Sequence, residues 1–150
     1  LGDSMSAPEV AIRDAVVTAV AAVTGLSAER VIVGRPQHLG EGPSPPCVWI
    51  AVRSCQDAYG PDLTSYQTTM LLDIYILAPG TSSDPADRED AILDLGFDVR
   101  AAIRALPDVS GVEMLAAPLC GLAQSPEAAQ GTGLMVMVME AQFDFVSVGV

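Results

Sequence analysis

Between Ser65 and Leu77 the apolar residues keep to alternate positions: Tyr66, Met70, Leu72, Ile74 and Ile76 share one side, while Asp73 and Tyr75 take the other. A period of two predicts a strand with one face on a core. The same alternation predicts a strand over Cys47–Cys55, through Val48, Ile50 and Val52. It predicts another over Thr132–Val148, where Met135, Met137, Met139, Phe143 and Phe145 oppose Val136, Val138, Glu140, Gln142 and Asp144. Val31–Val33 and Val112–Ala116 read as short strands, and Pro118–Gly133 shows no period that assigns it.

Two segments carry a helical period instead. Ser6-Ala7-Pro8-Glu9 has the form of a capping box, followed by a stripe of Ile12, Val16, Val20 and Val23 that runs to Thr24 and stops at Gly25. Asp84 and Pro85 open the second helix as cap and first residue; Ile92, Leu95, Val99, Ile103 and Leu106 form its stripe, and Pro107 ends it. A Gly60-Pro61 turn makes the strands around it a hairpin. The order α-β-β-β-α-β-β predicts an α+β fold, an antiparallel sheet with both helices packed on one face. Met5 reads as the natural first residue of a single domain over 5–150, with Leu1–Ser4 a remnant of expression.

Length adds one expectation. A compact domain of 150 residues is roughly 38 Å across, whereas strands of about 13 to 17 residues span roughly 44 to 55 Å. Such strands must curl or project as ribbons, and ribbons present edges to partners. The chain holds 7 basic residues, all arginine, against 19 acidic ones, a net charge of −12. That balance argues against binding nucleic acid or an anionic membrane. Half the residues are hydrophobic, yet the longest apolar run, Leu134–Met139, is far too short to cross a bilayer as a helix.

Residue types capable of chemistry are present without a constellation. His38, the one histidine, sits in a Gly/Pro loop with no nucleophile near it in sequence. Gly40-Glu41-Gly42 lacks the lysine of a phosphate loop, and Gly131-Thr132-Gly133 precedes a strand rather than a helix. Asp87, Asp90, Asp94 and Asp98 share an arc of the second helix and read as a solvated face. Cys47, Cys55 and Cys120 lack metal spacing, and the first two lie about 26 Å apart along one strand. The expectation is no enzyme, no cofactor, no metal and no disulfide.

What remains points to protein contacts. Leu93 and Phe97 fall outside the core stripe of the second helix, with Arg100 and Arg104 beside them, and read either as part of a broad buried face or as a candidate subunit interface. Asp90, Asp94 and Asp98 have no arginine three or four positions on, so an arginine of a neighbouring copy (Arg13, Arg35 or Arg53) would relieve them. Asp73, Glu140 and Asp144 are expected on the polar sheet face away from the helices. The loops Arg35–Pro46, with Arg35 and His38, and Asp57–Leu63, with Asp57, Tyr59 and Asp62, are candidate partner-binding loops, mobile in the free subunit and ordered on assembly.

This layout resembles the tail terminator (tail completion) proteins of long-tailed bacteriophages. The matching features are the N-terminal helix, Val31-Ile32-Val33, the Pro-rich loop into Pro46-Cys47-Val48-Trp49-Ile50, the strand Thr69–Leu77, the helix Asp87–Leu106 and the closing Gln142-Phe143-Asp144-Phe145-Val146. The resemblance implies a homo-oligomeric ring, a hexamer in that family, at the head-proximal end of a virion tail assembled in the host cytoplasm. Such a ring caps the tail tube, with the tail tube protein and a head-neck protein as partners. It would put Asp73, Glu140 and Asp144 on the lumen wall, where an acidic surface lets DNA pass without gripping it. Rival readings are a small-molecule-sensing or shell-forming oligomer, and an enzyme whose site forms between subunits.

Overall fold

The computed structural model of the chain describes residues 7–38, 40–60, 65–106 and 108–148. The expected remnant at Leu1–Ser4, Met5, Ser6, Pro61, Asp62 and Pro107 lie outside the described residues.

Helix α1 covers Pro8–Ala21 and is followed by a 3-10 turn at Ala28–Arg30. Strands β1 (Val31–Val33), β2 (Cys47–Tyr59) and β3 (Ser65–Pro79) precede helix α2 (Pro85–Arg104). Then come β4 (Glu113–Met114), β5 (Leu119–Ala129) and β6 (Leu134–Val148). This is the α+β arrangement expected from the sequence, with one strand added: β5 fills the stretch that showed no period.

Pro8 at the first helical position fixes where α1 begins, so the residue at the cap is Ala7, which has no side-chain acceptor. The expected capping box is therefore one residue out of phase, with Glu9 in the first turn rather than reaching back to the cap. The α2 cap is as expected: Asp84 Oδ1 accepts from the Ala86 amide at 3.0 Å.

The six strands form one mixed sheet in the order β1-β2-β3-β6, with β4 and β5 both paired to the far side of β6. β1 lies parallel to β2, because the loop over 34–46 crosses back to the same end of the sheet; the other pairs are antiparallel. β3 pairs with β6 along its full length, from Ser65 opposite Val148 to Pro79 opposite Leu134.

Both helices lie on one face. Ile12, Val16 and Val20 of α1 and Ile92, Val99 and Ile103 of α2 join one buried cluster with Val48, Ile50, Met70 to Ile76 at alternate positions, and Met135 to Phe145 likewise. The methionines of β6 are core residues. Gly96 lets α2 approach β6 closely, since a Cβ there would overlap the end of Met137.

The opposite face is not simply polar, as the alternation suggested. Cys47, Trp49, Leu77 and Val136 form a second buried cluster there. The loop over 34–46 covers part of it: Gly42 packs on the Trp49 ring, and Arg30 Nη1 donates to the carbonyls of Ser44 (2.7 Å) and Pro46 (3.2 Å).

Candidate assembly surfaces

Asp73 stands at the centre of the second sheet face. Its neighbours in register are Ala51 on β2 and Glu140 on β6. The residue expected to be solvated is 6% exposed, and two arginines cover it. Arg35 Nη2 donates to Oδ2 at 3.1 Å, and Arg53 Nε donates to Oδ1 at 2.9 Å, with Arg53 Nη2 on the same oxygen. Arg53 also donates through Nη1 to Glu140 Oε2 at 2.9 Å.

The position of Arg53 comes from a bulge. Val52 pairs with Leu72 and Ser54 with Leu71, so Arg53 is an extra residue with no partner on β3. The bulge also reverses the faces of β2. Before it, Val48 and Ile50 oppose Ile76 and Ile74 on the helix side; after it, Cys55, Asp57 and Tyr59 oppose Met70, Thr68 and Tyr66 there. The Asp73 and Glu140 hydrogen bonds, in that order, hold the Arg53 guanidinium above its ordinary pKa.

Asp144 is on the same face, half-buried, and accepts from Thr69 Oγ1 at 2.7 Å and from Gln142 Nε2 at 3.3 Å. The three acids proposed for a lumen wall thus share one face, tied into it by arginine, threonine and glutamine. Arg35 also lies 5.9 Å from the Tyr75 ring centroid. Arg35 and Arg53 are therefore engaged within the subunit, and Arg13 pairs with Asp14 at 3.1 Å.

Of the loop candidates, His38 is exposed, and its backbone amide lies 3.5 Å from Glu41 Oε1. Asp57 and Tyr59 lie in β2 rather than in a loop, because the pairing with β3 runs on to Tyr59 opposite Tyr66, and Asp57 accepts from Thr68 Oγ1 at 2.7 Å. Tyr59, 71% exposed, stacks on Tyr66 with ring centroids 5.6 Å apart. Asp87, Asp90, Asp94 and Asp98 are all exposed. Among the described residues no three His, Cys, Asp or Glu side chains converge as a metal site.

The α2 candidates form a flank. Phe97 is 60% exposed, Leu93 is also exposed, and Leu122 on β5 is 52% exposed. These three, with Gly96, Arg100, Met137 and Met139, line a cavity of about 100 Å³. The Arg100 guanidinium sits 5.6 Å from the Phe97 ring centroid. Arg104 Nη2 donates to the Cys120 carbonyl at 3.1 Å, tying α2 to β5. Leu122 escaped the sequence reading because β5 itself did.

The three cysteines are free. Burial raises the pKa of Cys47, and it pushes Cys120 up to about 11 against the smaller opposing effects of Arg104 and Arg100. Cys55 is raised as well, by desolvation first and then by the charges of Glu9 and Asp57.

The class defined by this architecture is a two-layer α+β domain, with two helices on one face of a mixed six-stranded sheet. Its fold is similar to that of a chain in a solved structure described as the virion of native gene transfer agent (GTA) particle. The two share 13% sequence identity at a TM-score of 0.64, over 95% of this chain and 100% of that one. No protein-family model matches the sequence, and no curated protein does. No helix among the described residues is long and apolar enough to cross a membrane.

Proposed function

We propose that this chain is a virion structural protein, a subunit that assembles with its own copies and with other virion proteins. The observation that carries this reading is the fold likeness to a virion chain over 95% of this chain and the whole of the other. In its finer form the proposal is a tail terminator: a ring, hexameric as in the resembling family, that caps the tail tube at its head-proximal end. The tail tube protein and a neck protein are its partners. Asp73, Glu140 and Asp144 then face the lumen.

Three features support that form. The chain has the α-β-β-β-α-β-β order on which the resemblance rests, with β5 added. Of the long strands β2, β3 and β6, 13, 15 and 15 residues, β2 has an outer edge that no strand among the described residues pairs from Val52 to Tyr59. The exposed α2–β5 flank offers apolar and cationic contact area. A role without catalysis is part of the proposal, supported by an exposed loop His38 and by thiols whose pKa values are all raised.

The test is native mass spectrometry of the chain alone and with its tail tube protein, together with electron microscopy of tube ends. A closed homo-oligomer seated on tube ends, with tube growth arrested, is the expected result. Tubes that elongate at the same rate with and without the chain would defeat the terminator reading.

A further inference from the structure

Two ends of the sheet are unfinished. α1 packs over β1 and β2, while α2 packs over β3, β5 and β6, so each helix guards a different end. At the first end, β1 covers only Val48–Ile50 of the outer edge of β2. From Val52 to Tyr59 no strand among the described residues pairs with that edge. Asp57 on this edge is exposed, and Glu9 lies in the first turn of α1, the helix packed over β1 and β2; Arg53, on the same edge, is already paired with Asp73 and Glu140.

At the other end lies the flank built from Phe97, Arg100, Arg104 and Leu122. Arg104 donates to the Cys120 carbonyl of β5, and Arg100 lines the cavity shared with Leu122 of β5, so both lie on the side of α2 that meets the sheet end. On a chain of net charge −12, copies repel one another in most orientations. This flank is where the approach of an acidic surface is favoured.

We propose that a second copy of this chain docks head to tail, the Glu9–Asp57 edge of β2 against the Phe97–Arg100–Arg104 flank of the next copy. Pairing like flanks would set arginine against arginine or acid against acid. Pairing unlike flanks removes that repulsion and leaves each new copy with one open flank, so addition continues until a ring closes. Phe97 supplies the apolar anchor and the arginines its rim. Asp90, Asp94 and Asp98, one strip further round α2, repel an edge that docks out of register. The inference rests on the ring reading above and assigns its contacting surfaces.

The test uses the full chain, with Glu9→Arg and Arg100→Glu compared with the parent by sedimentation velocity at matched concentrations. Circular dichroism confirms that each variant is folded. Each reversal is expected to weaken assembly roughly tenfold or more. An equimolar mixture of the two variants should reassemble, because every junction then sets an arginine against a glutamate. The neutral variants Glu9→Gln and Arg100→Gln should weaken assembly less and show no rescue on mixing.

A parent ring with unaffected reversals, or a mixture no better than its components, overturns this pairing and leaves the ring reading standing. A parent that stays monomeric, alone and with tail tube protein, overturns both. Reversals that block tube binding but spare the ring assign the flank to the tube protein and overturn the second-copy proposal.

Discussion

Asp73 and Glu140 face each other directly across the β3–β6 pair, two carboxylates in one row, with Arg53 donating to both. Like charges directly opposite destabilise a sheet unless something bridges them. Arg53→Ala removes the bridge, leaving buried Asp73 with Arg35 alone. Breaking a fully buried pair costs about 3–5 kcal/mol; with the Arg53 side chain 38% exposed, a loss of about 1–3 kcal/mol is expected. Urea unfolding measures it. Arg53→Lys should recover only part, since an ammonium cannot present the guanidinium fork.

Gly42 has φ +87°, and a Cβ there would lie 2.8 Å from Cζ2 of the buried Trp49 ring. Gly42→Ala therefore meets both a left-handed backbone and a rigid obstacle, and should cost about 1–3 kcal/mol. The Trp49 fluorescence should shift with it. Gly40→Ala, in the same loop with open space around it, should leave both stability and fluorescence unchanged. Equal effects at the two positions would show that the loop does not rest on Trp49.

Phe97 is mostly outside the subunit's own core. Phe97→Ala is expected to change subunit stability by less than about 0.5 kcal/mol, while weakening self-association in sedimentation. A large loss of thermal stability in the monomer would instead make Phe97 a packing residue.

Cys120 holds its proton more tightly folded than unfolded, with a pKa of about 11 against an ordinary 9.0. The sign follows: between those values the unfolded chain has released the proton and the native state has kept it. Stability is therefore constant below about pH 9 and falls as pH rises toward 11, by up to about 3 kcal/mol from this group. Cys120→Ala should flatten that part of the profile in urea titrations at pH 8 and above. An unchanged slope would mean that other groups set the alkaline limit.

β3 and β6 could be read from the sequence because each has one face on a helix layer and alternates accordingly. β5 could not: α2 shelters part of it, Leu119 and Leu122 remain exposed, and Pro126 interrupts the pattern, so no period survives. The second apolar cluster was present in the letters, since Cys47–Ala51 is apolar at every position. Such runs mark burial on both faces. Arg53 left no signal, because a bulge depends on register between strands rather than on spacing within one. Helical period set Leu93 and Phe97 outside the core stripe, but whether they were buried or exposed needed the structure. Their neighbour Leu122 needed the fold.

The pairing of β3 with β6 also sets when a subunit can exist. β3 and β2 form a local hairpin early, but the other edge of β3 waits for β6, the last strand of the sheet. Pairs such as Ser65 with Val148 are far apart in sequence, and such contacts form slowly. On the ribosome, the second edge of β3 therefore stays without its partner strand throughout synthesis of α2, β4 and β5. The exposed α2–β5 flank is likewise complete only after β6 has emerged and paired with β5.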